Sequence, residues 1–519
     1  MLQDGKIWMA QGDNPCYLQL DQANRHGLIA GASGTGKTVT LKVMAEGFSQ
    51  AGVPVFMADV KGDVTGMAQP GDDTEGIRER VERFGIEGWS LRGCPVHLWD
   101  MIGGEGIPVR ITVSDMGPVM LARLLGLTDA QEGVLNIAFR VADDRQMLLI
   151  DLKDLRAMLN YVGEHAKELE LEYGRVSSQS IGAILRELIA IEDQGGGAFF
   201  GEPALDLADW FATTEDGQGV VNILAAAKLM ESPQVYAMFL LWMLSELFQT
   251  LPEVGDLAKP KLVFFFDEAH LLFDGMPKEL TDRLVQVVKL IRSKGVGVYF
   301  ITQSPSDIPD EVLAQLSNRI QHGLRAYTPA EQKAVRAAAR AFRANPAFDA
   351  AEALLEVGTG EALVSLLNGD GQPSVVERAK VLPPQCLMAA ASPETMAQVV
   401  AAQAPLQAKY GEAVDRESAY ELISAQKAAV EEAEAAEVQA EELAKAQAAA
   451  AKEAEKEARA AEREAQRLQK EAERQAQAAE RAAQKQRDQA AKTMSSIIGQ
   501  IGREAGRQLV RGLFGGLRR

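Results

Sequence analysis

Short apolar runs recur along the chain, and each run ends at a loop that carries polar residues or glycine. The runs cover residues 26–30, 53–58, 220–224, 262–266, 296–302 and 319–323, and most of them are rich in Val, Ile, Leu or Phe. Apolar runs of this length, separated by helical stretches, are typical of strands that are buried on both faces of a parallel sheet. The pattern therefore predicts an α/β fold with helices on both faces of a parallel sheet.

A long, mainly helical segment separates the second and third apolar runs. Thr128 and Gln131 have the spacing of a capping box, and Val134 and Val141 follow on one helical face. A second helical pattern covers residues 180–192 and ends at consecutive glycines. These signals predict a helical insertion within the sheet-forming core.

The composition changes sharply in the C-terminal part of the chain. Residues 424–492 are dominated by Ala, Glu, Lys, Arg and Gln, and Leu443 and Leu468 are among the few large aliphatic residues. Because a sustained leucine seam is missing, this segment predicts a charged, solvated helix, with a weak alanine-rich coiled coil as the alternative.

The last residues are basic, amphipathic and rich in glycine. Arg503, Arg507 and Arg511 recur at a spacing of four residues, among scattered Ile and Leu residues. Such a tail suits a protein partner, nucleic acid, an anionic lipid surface or packing against its own chain, and the sequence leaves these alternatives open.

Together these changes divide the chain into five predicted regions. They are a core from residues 1–61 and 216–390, a mainly helical insertion from 62–215, a linker from 391–423, a charged helix from 424–492 and a basic tail from 493–519.

Charge and cysteine content narrow the class of protein. The chain has 519 residues and a net charge of −19, which argues against a protein coated in basic surface, although a local basic lining remains compatible. Its three cysteines form no C-x-x-C pair, and its five histidines have no metal-ligand spacing. The first ten residues show no signal peptide, and the most apolar stretch, residues 237–248, is too short to span a bilayer. We expect a cytoplasmic protein.

One segment matches the glycine-rich phosphate-binding pattern G-x-x-x-x-G-K-T at every position. It consists of Gly31, Ala32, Ser33, Gly34, Thr35, Gly36, Lys37 and Thr38. In this pattern backbone N–H groups cradle the phosphates, Lys37 reaches the β- and γ-phosphates, and the Thr38 hydroxyl binds Mg²⁺. An apolar run precedes the segment and a helical pattern follows it, which is the context that the pattern requires. The sequence therefore predicts an ATP site.

Two acids follow the apolar run at residues 262–266. Asp267 is placed to hold Mg²⁺, and Glu268 to polarise the attacking water as a general base. Gln303 follows the next run and is a candidate to sense the γ-phosphate or orient water, while an ordinary strand end is the plainer interpretation.

A cation near the γ-phosphate is a usual requirement of such sites. Arg292, Arg319 and Arg325 are the candidates, and a surface ion pair is the alternative for each. Asp59 ends the second apolar run and is expected to face the same site.

Taken in order, the glycine loop, the acidic pair and Gln303 resemble the HerA/FtsK superfamily of DNA-pumping ATPases, and the sequence is most similar to a bacterial HerA-like family. Further shared stretches lie at residues 131–136, 151–155, 199–203, 301–309, 318–328, 410–411 and 415–421. The resemblance implies a RecA-like P-loop core that hydrolyses ATP with Mg²⁺, a ring of six subunits, and an arginine acting between subunits.

The resemblance has one clear departure. HerA itself carries a β-barrel domain before the glycine loop, whereas only about thirty residues precede Gly31 here, which suits a hairpin over residues 6–20. The letters Asp-Glu-Ala-His at 267–270 also occur in superfamily-two helicases. Those enzymes need a second RecA-like domain, whereas after Thr328 this chain offers an alanine-rich helix and then low-complexity sequence.

Two functions fit the sequence. The first is a DNA translocase or helicase-like motor, for which a basic cluster would contact phosphates: Lys289, Arg292, Lys294, Arg319, Arg325 and Lys333. The alternative is an ATPase that controls assembly or a protein partner through its C-terminal arm and does not act on DNA. A P-loop kinase is a weaker third possibility, because no acceptor-substrate site is evident.

Overall fold

The computed structural model describes residues 1–490 apart from 103, 105, 232, 256 and 274–277. It divides into two compact units, Met1–Gln426 and Lys427–Arg519. The strands are β1 Leu2–Gln3, β2 Lys6–Gln11, β3 Pro15–Gln19, β4 Gly27–Ala30, β5 Val55–Asp59, β6 Val96–Asp100, β7 Ile107–Pro108, β8 Val221–Ala225, β9 Leu262–Phe266, β10 Val296–Thr302, β11 Asn318–His322, β12 Glu361–Ser365 and β13 Glu377–Val381.

Helices fill most of the remaining described chain. They are α1 Lys37–Gln50, α2 Glu75–Phe84, α3 Val113–Leu124, α4 Asp129–Asp144, α5 Leu152–Glu164, α6 Ala166–Tyr173, α7 Ser178–Ile191, the short α8 Gly197–Phe199, α9 Pro233–Thr250, α10 Lys278–Ile291, α11 Asp310–Leu313, α12 Pro329–Arg340, α13 Ala350–Glu356, α14 Pro393–Ala402, α15 Ala404–Tyr410 and α16 Ala419–Ala490.

The strands form one sheet whose central part is parallel. Its parallel strands lie in the order β11-β4-β10-β9-β5-β8-β6-β7. Each of the six predicted apolar runs forms one of these strands, and the predicted α/β class is confirmed. Since the strands are parallel, their carboxyl ends meet at one edge, where the loops after β4, β5, β9 and β10 lie side by side.

The other end of the sheet is antiparallel and was not predicted as sheet. β12 pairs with β11, β13 pairs with β12, and β2 joins β13. The expected N-terminal hairpin is present as β2 and β3. Within the predicted helical insertion, β6 adds a further strand to the sheet through β8.

Alternate residues of the central strands point into two separate apolar layers. In β9, Phe264 packs with the layer that contains Phe56 and Phe239, whereas Phe265 packs with the layer that contains Phe48 of α1. Both faces are covered by helices, which explains why these strands read as continuous apolar runs. The layers fix the central strands and hence the edge at which their loops meet.

Local capping interactions set the starts of two helices, one of which was predicted. Thr128 and Gln131 form the predicted capping box at the start of α4. Glu421 accepts a hydrogen bond from the Ser418 backbone at 3.0 Å and caps the start of α16. Lys153 of α5 pairs with the same Glu421 at 3.1 Å and with Asp415 at 2.9 Å, so the first turn of α16 is tied to α5.

The C-terminal half of the chain differs from the expectation in its boundaries. The charged helix begins at Ala419, and the described residues follow it to Ala490. The predicted linker contains α14 and α15. The predicted tail at residues 493–519 lies outside the described residues. Among the described helices, none is both long enough and apolar enough to cross a membrane.

Candidate nucleotide-binding site

The glycine loop joins β4 to α1 at the carboxyl edge of the sheet. Its backbone is tied to the neighbouring strands, because Gly31 N donates to Thr302 O at 3.2 Å and Ala32 N donates to Gly323 O at 2.9 Å. Gly36 precedes α1 with φ 112°, and Gly34 has φ 77°. Only glycine adopts such angles without strain, so the loop can turn its N–H groups inward.

Lys37 is the first residue of α1 and lies within the curve of the loop. Its Nζ donates to Gly31 O at 2.6 Å and to Ala32 O at 3.2 Å. Burial lowers the pKa of this ammonium, and the carboxylates of Glu268 and Asp267 oppose that shift. The positive end of the α1 dipole and the Lys37 charge therefore coincide at one point, which favours an anion such as a phosphate.

Asp267 and Glu268 follow β9, two strands away from β4 in the sheet order. Both are buried, and Glu268 adopts a left-handed conformation with φ 48° and ψ 47°. Its backbone N–H donates to Asp267 Oδ1 at 2.8 Å. A glutamate in this region of backbone space is strained, and strain of this kind concentrates at functional positions.

The two carboxylate oxygens of Glu268 have different surroundings. Lys61 Nζ lies 2.5 Å from Oε1. Oε2 is buried and has no hydrogen-bond partner among the described residues, and His270 Nδ1 lies 3.3 Å from it without hydrogen-bond geometry. Burial opposes ionisation of Glu268, but Lys61, His270 and Gln303 outweigh it and lower the pKa. Glu268 is thus a carboxylate with one free acceptor atom, as a general base requires.

Gln303 lies directly after β10, between the glycine loop and the acidic pair. It borders an open cleft of about 660 Å³ together with His270, Phe273 and the segment 304–309. Thr302 and Ser304 both donate to Asp307 Oδ2, at 2.7 and 3.0 Å, which fixes the turn that carries Gln303. The structure therefore brings Gln303 to the same edge as Lys37 and Glu268.

Asp59 was expected to face the site, but its carboxylate binds the backbone of the loop that follows β5. Its carboxylate accepts backbone hydrogen bonds from Gly62 at 2.6 Å, Val64 at 3.1 Å and Thr65 at 3.2 Å. Burial raises the pKa of Asp59, against the pull of these donors. Asp59 therefore shapes the loop that presents Lys61.

The three arginine candidates lie in different places. Arg292 is exposed and precedes β10, at the edge opposite the glycine loop. Arg319 donates to the carbonyls of Leu313 and Leu316, each at 2.9 Å, and so closes the end of α11. Arg325 is exposed and follows β11 at the glycine-loop edge. Within one subunit only Arg325 shares the edge of the site.

His322 was not predicted from the sequence as a site residue, and it packs against the glycine loop. Its Nε2 lies 2.8 Å from Thr40 Oγ1 and its Nδ1 lies 2.9 Å from Glu361 O. A methyl group on Gly31 would meet the His322 Cβ at 2.5 Å, so the loop and the imidazole are in close contact. The signal available in the sequence was a histidine at the carboxyl end of a strand that directly follows the other strand-forming runs.

The side chains at the site suit Mg²⁺ bound together with phosphates. Thr38 offers a hydroxyl and Asp267 a carboxylate, and hard oxygen donors are what Mg²⁺ prefers. In the described part of the chain, no cluster of three or more His, Cys, Asp or Glu residues could hold a metal ion by itself.

A parallel sheet with a glycine loop on one strand and an acidic pair on a nearby strand defines a RecA-like P-loop nucleotide-binding protein. The family model described as "Helicase HerA-like C-terminal" matches residues 5–519. The chain therefore belongs to this family of P-loop ATPases, and the predicted family resemblance is confirmed.

The chain also matches several solved structures. The conjugative coupling protein TrwBΔN70 is 13% identical with a TM-score of 0.49, and the match covers 75% of this chain and 92% of that one. VirB4 of Thermoanaerobacter pseudethanolicus is 16% identical with a TM-score of 0.45, over 76% and 99% of the two chains. No curated protein matches the chain.

Proposed function

We propose that this protein hydrolyses ATP by in-line attack of water on the γ-phosphate and uses the energy to move along duplex DNA as a homo-oligomeric ring, with six subunits as the expected number. The glycine loop binds the phosphates, Lys37 contacts the β- and γ-phosphates, and Glu268 accepts a proton from the attacking water. Mg²⁺, held by Thr38 and Asp267, would neutralise phosphate charge.

The observation that carries the hydrolytic part is the free acceptor atom on Glu268. A buried carboxylate oxygen without a partner costs free energy and is rare in proteins unless it serves a function. Here it lies at the same sheet edge as Lys37, whose ammonium interacts electrostatically with it. A water bound to Oε2 would be polarised towards a phosphate on the glycine loop.

The proposed movement along DNA rests on the family resemblance. The surface charge supports it only in part, because some members of the predicted basic cluster already contact other residues of the chain. Arg292, Arg325 and Lys333 are exposed. Other members of the predicted basic cluster have partners in the chain, since Lys289 pairs with Glu311 at 3.1 Å and Lys294 is buried with its ammonium over the Phe248 ring. We therefore assign phosphate contacts first to Arg325 and Lys333.

An arginine acting between subunits would complete the site. Arg292 lies at the edge of the sheet opposite its own glycine loop, so in a ring it is placed to face a neighbour. Arg319 remains the second candidate, although its contacts with two carbonyls suggest a structural task. Replacing Arg292 by Ala should lower turnover without weakening nucleotide binding, and mixing it with Lys37→Ala subunits would test action between subunits.

The experiment that tests the whole proposal is steady-state ATP turnover with and without linear duplex DNA at moderate salt. We expect a several-fold rise with DNA that is absent in Lys37→Ala. Turnover that does not respond to DNA would leave the ATPase assignment intact and remove DNA as the substrate.

The second candidate function is an ATPase that controls assembly or a partner protein. It is favoured by α16, whose described exposed surface is charged and whose side chains form local pairs such as Lys445–Glu441 at 2.6 Å. Deleting residues 494–519 should then abolish partner or lipid binding while ATP turnover persists. The three free cysteines support a reducing, cytoplasmic location for either function.

A further inference from the structure

Lys61 is a second lysine at the nucleotide site, and no motif assigns it a role. It follows β5, the strand next to β9, and its Nζ lies 2.5 Å from Glu268 Oε1. The side chain of Lys61 is 48% exposed, whereas that of Glu268 is 9% exposed. The ammonium therefore reaches a buried carboxylate from the solvent side of the site.

The charges around Lys61 place it near the phosphates as well as near Glu268. Its ammonium interacts with the carboxylates of Asp267, Glu268 and Asp63, and it acts on Lys37 as a like charge. Two ammonium groups therefore lie close enough to act on each other beside the glycine loop. A γ-phosphate bound next to Lys37 would compete with Glu268 for Lys61.

The backbone under Lys61 is fixed, which limits movement to the side chain. The Asp59 carboxylate holds the N–H groups of Gly62, Val64 and Thr65. The carbonyl of Asp63 accepts a hydrogen bond at 2.7 Å from Lys42 of α1. The flexible lysine stem can therefore change partner by rotation while its Cα stays in place.

We propose that Lys61 exchanges partners during hydrolysis, from the carboxylate of Glu268 to the γ-phosphate of ATP. The inference rests on the proposed ATPase function and adds a γ-phosphate contact that regulates the base. While Lys61 pairs with Glu268, its ammonium occupies Oε1 of the carboxylate. Transfer of Lys61 to the γ-phosphate frees this second oxygen of Glu268 only when a triphosphate is bound. Lys61 thereby couples the presence of substrate to the readiness of the base.

The test compares binding of ADP with binding of a non-hydrolysable ATP analogue, both with Mg²⁺, by calorimetry. In Lys61→Met, the analogue should bind about tenfold more weakly, the size expected for losing one charge-assisted hydrogen bond. ADP affinity should change less than about twofold because ADP has no γ-phosphate. Lys61→Arg, which keeps the charge, should retain most of the preference for the analogue. Lys228→Met, an exposed lysine after β8 at the same sheet edge, is the matched control.

A double-mutant cycle tests the exchange itself. Glu268→Gln weakens the competing partner of Lys61, so the analogue should bind several-fold more tightly while ADP does not. In a Lys61→Met background, Glu268→Gln should have no such effect.

The outcomes separate this inference from the proposed function. Equal weakening of ADP and analogue, or unchanged binding of both, in Lys61→Met would overturn the role of Lys61. If the wild-type chain binds neither nucleotide, the proposed function fails with it. If the wild-type chain binds and hydrolyses ATP but the cycle shows no coupling, the ATPase assignment stands and the partner exchange does not.

Discussion

Glu46 and Glu268 are two buried glutamates in this protein, and their surroundings differ. Glu46, on α1, is 1% exposed, and its carboxylate accepts hydrogen bonds from Gln385 N at 2.9 and 3.0 Å and from Cys386 N at 2.7 Å. Glu268 is 7% exposed; one carboxylate oxygen pairs with Lys61, and the other lies 3.3 Å from His270 Nδ1 and accepts no hydrogen bond from the residues that the structure describes.

The hydrogen-bond partners of the two carboxylates indicate different roles. The carboxylate of Glu46 accepts hydrogen bonds from backbone N–H groups, and these bonds hold the segment around residue 385 against α1. Lys42, one turn away, completes the clamp by donating to Leu387 O at 2.8 Å and Met388 O at 3.1 Å. Glu268 instead keeps an acceptor atom for a substrate or water, at the expense of stability. A fully hydrogen-bonded carboxylate fits a structural role for Glu46, and an oxygen without a hydrogen-bond donor fits the role of base that we propose for Glu268.

The largest effect on ATP turnover is expected from replacing Lys37, the only cationic residue within the sequence of the glycine loop. Lys37→Ala should lower ATP turnover by at least about a hundredfold, because the β- and γ-phosphates lose a charge that binds more strongly in the transition state. The measurement is the steady-state rate of ATP turnover. Lys259→Ala is the control, since Lys259 donates to Ala51 and Gly52 carbonyls at the far end of α1. Comparable losses in both variants would contradict a special role for Lys37.

A nearly equal effect on turnover should follow the removal of the base. Glu268→Gln should reduce kcat by about a hundredfold to a thousandfold, the range for loss of general-base catalysis. Nucleotide binding should persist, because Glu268 is not part of the glycine loop that holds the phosphates. Single-turnover kinetics with equilibrium binding separate the two. Unimpaired turnover would remove Glu268 as the base.

The opposite pattern should appear at Glu46. Glu46→Gln should lower the free energy of unfolding by about 2 to 3 kcal/mol, since an amide replaces a carboxylate that accepts from several backbone donors. Turnover per folded molecule should stay close to wild type. Chemical denaturation beside active-site titration measures both quantities. A loss of kcat without a loss of stability would erase the contrast between the two glutamates.

A smaller effect, on the pH dependence of stability, is expected from His26, a buried residue whose two ring nitrogens both have hydrogen-bond partners. Val298 N donates to its Nδ1 at 3.0 Å and its Nε2 lies 2.9 Å from Val288 O, so the ring is held neutral. Burial lowers the pKa of His26 to about 4. Since the unfolded chain takes up the proton near pH 6.5, this stability is present above that pH and is lost as pH falls towards 4.

From this single group, stability should be lower by about 1 kcal/mol at pH 5.5 than at pH 7.5. The measurement is the midpoint of chemical denaturation at both pH values, and His26→Gln should show a smaller difference. An equal difference in the variant would mean that His26 is not a source of the acid sensitivity.

Much of the catalytic edge could be predicted because its signals are local. The glycine loop, the two acids after β9 and the apolar strands are each contained in fewer than ten consecutive residues. Gln303 was found in the same way. The antiparallel strands β12 and β13 and the additional β6 were missed, since their mixed polarity gives a weak periodic signal and their pairing partners are distant in sequence.

The sequence by itself determined the class of fold and the family, and it predicted the phosphate loop and the two acids, because these depend on short-range spacing and on residue chemistry. Only the tertiary structure decided that Lys61 pairs with Glu268 and that Glu46 accepts hydrogen bonds from the backbone near residue 385. Each of these contacts joins segments that are far apart in the sequence. Hydrogen-bond saturation and charge pairing act over a few ångströms, and only the folded chain sets those distances.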